Sequence, residues 1–233
     1  MLTDIFSSFD PATISMYSSL PSPLFWMINF ITISTFTLTF WIAPNNMTQL
    51  TSIFKEIMFT QTTRTMGHHL KGLNMLLSAT FILIIFTNIM GLLPYVFSTT
   101  SHLFFTMALA IPMWFGLILS SISTSTSSFL ASLLPGGAPD WLNPFLTLIE
   151  TISILLRPIT LSFRLAANMS AGHIALGLMG IYAATALLTN LKSFTCLILI
   201  QMFYMIFELG ICLIQAYIFC LLLSLYSDDH TST

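Results

Sequence analysis

Apolar residues run along this chain in blocks as long as a membrane span, separated by short polar breaks. The first block, Leu24 to Ala43, is apolar and Thr-rich and is closed by Pro44-Asn45-Asn46. Trp26 and Trp41 lie near its two ends, where an interfacial aromatic belt would place them. Gly72 to Val96 forms a second block, and His102 to Ser121 a third, with Pro112 inside it. A Ser/Thr run, Ser120 through Ser128, offers small residues that would allow close helix packing. The cluster Pro135-Gly136-Gly137-Ala138-Pro139-Asp140 is a strong turn signal and the clearest internal boundary. Two longer blocks follow, 140–188 and 194–226, joined by Thr189-Asn190-Leu191-Lys192-Ser193. Each exceeds the roughly 20 residues of a perpendicular span, so each helix must tilt strongly. The short connection predicts an antiparallel hairpin.

Residues 48–71 break this pattern, holding Lys55, Glu56, Arg64, His68, His69 and Lys71. Leu50, Ile53, Phe54, Ile57 and Met58 recur at helical spacing, which predicts an amphipathic helix on the membrane surface. His68 and His69 read as surface residues of that helix, and His102 as interfacial.

Composition sharpens the class. The chain has 233 residues, 56% hydrophobic and 6% charged, with a mean hydropathy of +0.91. A soluble domain carries about 25% charged residues. The expectation is an all-α integral membrane protein, one domain over 1–233, with about five embedded helices and one surface helix. A net charge of −2 gives no basic surface for nucleic acid. Cys196, Cys212 and Cys220 all lie in the last apolar block, in a pattern of neither a disulfide framework nor a zinc site, and read as packing residues. The segment from Met1 to Pro11 contains Asp4 and Asp10 and no Lys or Arg, unlike a secretory signal or transit peptide. No Gly-x-x-x-x-Gly-Lys-Ser/Thr loop is present, so the chain is expected to bind no nucleotide and to be no enzyme by itself. Lys55, Arg64 and Lys71 are half of the six basic residues, which puts 48–71 on the cytoplasmic side or its organellar equivalent. The N-terminus then lies on the opposite side and the C-terminus on the same side.

The polar residues of the two long blocks carry the chemistry. Glu150, Arg157 and Arg164 are spaced by seven, and seven residues return to within about 20° of one helix face. Asn168 extends this stripe. His173 lies about 180° round from Arg164. Glu208, Cys212 and Gln215 share a face of the last helix. Close to the last residue stand Asp228, Asp229 and His230, about 30 Å along that helix from Glu208 if it continues. A permanent guanidinium near mid-bilayer costs about 2.5–3.5 kcal/mol and marks a functional residue by default. Carboxylates and histidine exchange protons at accessible pH; arginine does not. A row of titratable groups interrupted by one fixed cation reads as two access channels separated by a barrier. That cation repels a hydrated proton and holds a passing carboxylate ionised. Glu208 and His173 are expected to come together near one end, since both lie within about 20 residues of the hairpin turn. Glu150 and Arg157 are either a structural ion pair or, favoured by their separation of about 10.5 Å along the axis, not in direct contact, with Glu150 serving a channel.

The stretch Ser162-Phe163-Arg164-Leu165-Ala166-Ala167-Asn168-Met169-Ser170-Ala171-Gly172-His173 resembles the signature of subunit a of F-type ATP synthases in its mitochondrial form. Leu142 to Ser153 and Glu208 to Phe219 are similar to two further stretches of that family. The resemblance implies a proton-conducting stator subunit beside a ring of c subunits, in the mitochondrial inner membrane, held by a peripheral stalk and other membrane subunits. It implies that Arg164 faces the ring carboxylates. Glu208 and His173 would belong to the half-channel open to the intermembrane space, and Glu150 to the matrix half-channel. Asp228 or Asp229 would sit at the mouth of the latter, with Asn168 and Gln215 as polar neighbours of the arginine. An ion-coupled secondary transporter is the alternative, although its paired halves with broken helices are not seen in the sequence. A passive assembly subunit would leave Arg164 and Glu208 without a purpose.

Overall fold

The computed structural model describes residues 45–65, 67, 70–93, 96–134 and 140–228, together with Phe9, Met27, Phe30, Ile31 and Ser34. Six α-helices order these residues: α1 (Asn46–Thr62), α2 (Leu73–Leu92), α3 (Leu103–Thr124), α4 (Thr126–Ser132), α5 (Asn143–Thr189) and α6 (Leu191–Asp228). Short 3-10 turns, Thr99–Ser101 and Asp140–Leu142, precede α3 and α5. α2, α3, α5 and α6 are long and apolar enough to cross a membrane. This is an all-α membrane protein. The span expected at 24–43 lies outside the described residues except for four helical positions, Met27, Phe30, Ile31 and Ser34.

The surface helix is shorter than the expected 48–71. α1 buries Thr51, Met58 and Thr62 against α2 and α6, while Lys55 and Glu56 stay exposed. Leu50, Ile53 and Ile57 also face outward, as befits a helix at a lipid boundary. α1 ends at Thr62, and α2 is preceded by Gly72, whose φ of 88° is the left-handed conformation that glycine adopts without strain. Between the two helices, a Cβ on Gly67 would overlap the side chain of Ser227, so Gly67 rests against the end of α6. Arg64 and Lys71 therefore sit on a turn rather than a helix. His68 and His69 lie outside the described residues.

α2 is the central helix. Its most apolar stretch is 56% buried, against 11% for α6. Leu77, Ile84 and Ile85 pack with Leu165, Ala216 and Phe219 from the long helices. Large apolar side chains such as Phe104, Leu188 and Phe203 point outward, where acyl chains replace a protein core. α3 runs on past the expected Ser121 to Thr124, and Ser125 (φ −157°, ψ 96°) separates it from α4. The Ser/Thr run is thus helical on either side of Ser125 and packs little within this chain: Ser121 is buried, and most of the rest is exposed. Several of its hydroxyls donate to carbonyls of their own helix, as Ser123 Oγ does to Ser120 O at 2.9 Å.

α5 has 47 residues and α6 has 38. At 1.5 Å per residue α5 is about 70 Å long, twice the hydrocarbon thickness of about 30 Å, so it lies steeply inclined. Pro158 sits inside it without ending it. Asn190 (φ −146°, ψ 117°) forms the whole connection to α6.

Candidate functional site

The hairpin of α5 and α6 is zipped in antiparallel register, and its contacts fix the level of each polar group. Asn168 Nδ2 donates to Gln215 Oε1 at 2.9 Å. One residue on, Met169 Sδ lies 3.6 Å from Cys212 Sγ. A Cβ on Gly172 would overlap the Glu208 carboxylate, so that carboxylate rests directly on the backbone of α5. Nearer the far end, the Arg157 guanidinium lies 5.1 Å from the centre of the Tyr226 ring, a cation–π contact. Each pair is almost equidistant from Asn190, so the register does not slip along the hairpin.

Glu208 is 1% exposed, and its Oε2 has no hydrogen-bond partner among the described residues. The hydroxyl of Tyr204, one turn earlier, interacts with the carboxyl. His173 follows Gly172 and therefore lies at the level of Glu208. No direct hydrogen bond joins the two, and His173 Nε2 is likewise buried and unmatched. The His173 ring packs edge-on against Phe9, with ring centroids 6.2 Å apart.

Arg164 is exposed and has no hydrogen-bond or ion-pair partner among the described residues. Phe163, Ala167 and Ala171 beside it are exposed too, so the guanidinium stands on an outer face, with two alanines on the side toward Gly172. It is eight residues from Gly172, about 12 Å along the axis, too far to pair with Glu208. Fourteen residues the other way, about 21 Å, lies Glu150. The polar groups thus follow one another along the hairpin: Glu208 with His173, Asn168 with Gln215, Arg164 alone, then Arg157 with Glu150.

The expected lack of contact between Glu150 and Arg157 is overturned. Arg157 Nη2 lies 3.4 Å from Glu150 Oε1. Side chains of a helix lean toward its N-terminus, so the long arginine reaches back along the axis and spans most of the rise. The pair is not sealed: the side chains are 32% and 39% exposed. Asp228 is exposed at the end of α6, on the side of Arg157 and Glu150, and Asp229 lies outside the described residues. Cys196, Cys212 and Cys220 are free thiols. No group of His, Cys, Asp and Glu among the described residues forms a metal site.

The sequence reading missed the roles of Gly172, Tyr204 and Tyr226. A glycine in the middle of a long apolar helix was the available signal for the first, since it marks a close approach. Nothing in the spacing signals the tyrosines.

Residues 19–228 match the protein family described as ATP synthase A chain. The ATP synthase subunit a of Artemia franciscana is 37% identical over 231 residues, covering 98% of this chain and 100% of that protein. The ATP synthase subunit a of Albinaria caerulea is 41% identical over 232 residues, covering 99% and 100%. That of Locusta migratoria is 37% identical over 230 residues, covering 98% and 99%. With a match along nearly the whole chain and a membrane hairpin that carries the quoted motifs, the protein belongs to the ATP synthase A chain family.

Proposed function

We propose that this chain is the proton-conducting stator subunit of a mitochondrial ATP synthase, with two offset half-channels that serve a ring of c subunits on either side of Arg164. Exposed Arg164, alone on the outer face between a buried carboxylate and a half-exposed one, is the observation that carries this reading. A proton reaches the ring from the intermembrane space through His173 and Glu208. The carried proton is released on the far side of Arg164 and leaves by way of Glu150, Asp228 and Asp229. Arg164 attracts each ring carboxylate in its ionised form and repels a hydrated proton that would pass directly between the half-channels. Asn168 and Gln215 tie the helices together next to it. The ring, a peripheral stalk and other membrane subunits are the partners, in the mitochondrial inner membrane, with the N-terminus in the intermembrane space and the C-terminus in the matrix. Family membership over nearly the full length replaces the transporter alternative.

ATP synthesis and passive proton leak in membranes carrying Arg164 variants test the reading. Arg164→Ala is expected to abolish coupled synthesis and open a leak. Arg164→Lys is expected to fail as well, since a desolvated lysine can surrender its proton. Coupled synthesis at the wild-type rate in Arg164→Ala would sink the proposal.

A further inference from the structure

α2 and α3 follow one another in the chain, yet each leans on a different partner. α2 packs on α6, α3 packs on α5, and the two scarcely touch each other. The cleft between them holds a cavity of about 390 Å³. Leu77 and Leu223, both buried, form its floor, and the exposed residues Pro112 and Gly116 stand at its rim. The sequence of α3 explains the gap. Pro112, Gly116 and Ser120 are spaced by four and share one helix face. None carries a large side chain, and a Cβ on Gly116 would meet nothing within 4 Å. Along this face α3 has nothing with which to close the cleft.

The lining is polar at one end alone. Lys71 and Ser120 are its polar side chains, Lys71 just before α2 begins and Ser120 near the end of α3. From Ser120 to Pro112 the cleft runs eight residues along α3, about 12 Å. That depth stays within one leaflet, half of a hydrocarbon core of about 30 Å. Lys71 is exposed and makes no ion pair among the described residues. The start of α2 beside it adds the partial positive charge of a helix N-terminus, with no side-chain cap to offset it. A cleft that is apolar in depth and cationic at the membrane border suits an anionic head on a hydrocarbon tail. Basic pockets between membrane helices bind anionic lipid head groups in this way. Free phosphate would leave the apolar part unfilled. One turn of a helix from another subunit, about 10 Å across and 5.4 Å high, takes up roughly 420 Å³, more than the whole cavity. A thin, flexible acyl chain has no such minimum width.

We infer that the cleft between α2 and α3 is a binding site for an anionic phospholipid, with one acyl chain against Leu77, Leu223 and Gly116 and the phosphate held at Lys71. The chain takes the place of the side chains that α3 lacks and braces α3 against the central helix. The site stands apart from the polar groups of the hairpin and does not depend on the proton path proposed for them.

The test uses the intact complex in phosphatidylcholine nanodiscs doped with phosphatidylglycerol that carries a photoreactive diazirine on one acyl chain. Crosslinks read by mass spectrometry are expected on the 112–117 segment of α3. The same diazirine chain on phosphatidylcholine is expected to label that segment about fivefold less, the weight of one lysine facing an anionic head. Equal labelling by the two probes would show ordinary boundary lipid and overturn the inference. Inorganic phosphate is expected not to displace the probe; displacement would show that the anion alone is recognised and would overturn the lipid assignment. Lys71→Gln is expected to lower phosphatidylglycerol labelling about fivefold and Lys71→Arg to keep it. Unchanged labelling in Lys71→Gln refutes the site. Gly116→Leu fills the cleft and is expected to abolish labelling by either probe; persistent labelling of 112–117 would show that the chain does not lie there. Lys71 is exposed, so its variants carry the test even where Gly116→Leu fails to assemble. In a cryo-EM map of the same sample, acyl-chain density is expected between α2 and α3, and a helix of another subunit in that place overturns the inference whatever the probes label.

Discussion

Gly172 does at the scale of one residue what no other side chain can do there. A methyl group at that position would occupy the space of the Glu208 carboxylate. Gly172→Ala is therefore expected to displace the carboxylate and slow proton flux strongly while the helix itself is, if anything, strengthened, since alanine in a helix interior is favoured over glycine by about 1 kcal/mol. Pairing it with Glu208→Asp, which retracts the carboxylate by one methylene, is expected to restore part of the flux. ATP-driven proton pumping in single and double variants measures this; full flux in Gly172→Ala alone would refute the tight contact. Glu150 and Arg157 give the opposite lesson. Their side chains are 32% and 39% exposed, and an ion pair that open contributes about 0–1 kcal/mol. Glu150→Gln is expected to leave thermal stability of the complex nearly unchanged while it slows proton release; a large loss of stability with normal flux would make the pair structural after all.

The hairpin is the element on which every one of these groups depends, and the Asn168–Gln215 bond pins its register beside Arg164. Removing one partner leaves a polar group unmatched at a cost of about 1–3 kcal/mol, whereas replacing both with apolar residues of similar shape is nearly neutral. Asn168→Leu and Gln215→Leu singly are thus expected to lower the melting temperature of the detergent-solubilised complex, and the double variant to recover much of it. Simple additivity of the two losses would show that the bond does not couple the helices. The hairpin was legible in the sequence because Asn190 to Ser193 interrupt two apolar runs too long for ordinary spans. The level of Glu208 with His173 was legible for the same reason, since distance from a tight turn fixes the register. The Glu150–Arg157 contact was not, because counting rise along an axis ignores how far side chains lean. The break at Ser125 has no glycine or proline to announce it.

Across the whole molecule, charge placement and topology make one further prediction. Lys55 and Lys71 lie on one side of the bundle, by α1 and the start of α2, and Lys192 lies at the hairpin turn on the other. Cysteines introduced at Ser52 and Ser193, both exposed, are expected to react with a membrane-impermeant maleimide from opposite sides, Ser52→Cys from the matrix and Ser193→Cys from the intermembrane space. Labelling of both from one side would overturn the arrangement. The inclination of α5 has an electrical consequence. A helix of about 70 Å held in a layer about 30–45 Å thick covers only about half its own length in the direction across the membrane. Glu208 and Glu150, about 33 Å apart along α5, are then separated by about 16 Å along the membrane normal. If water reaches both, the transmembrane voltage drops over that shorter gap, so the field around Arg164 is about twice its value in undisturbed bilayer. Each 100 mV still contributes about 2.3 kcal/mol per proton, and under the proposed function that energy is delivered at Arg164. The slant of one long helix would thereby turn a thick insulator into a thin one at the place where the proposed function has protons drive the ring.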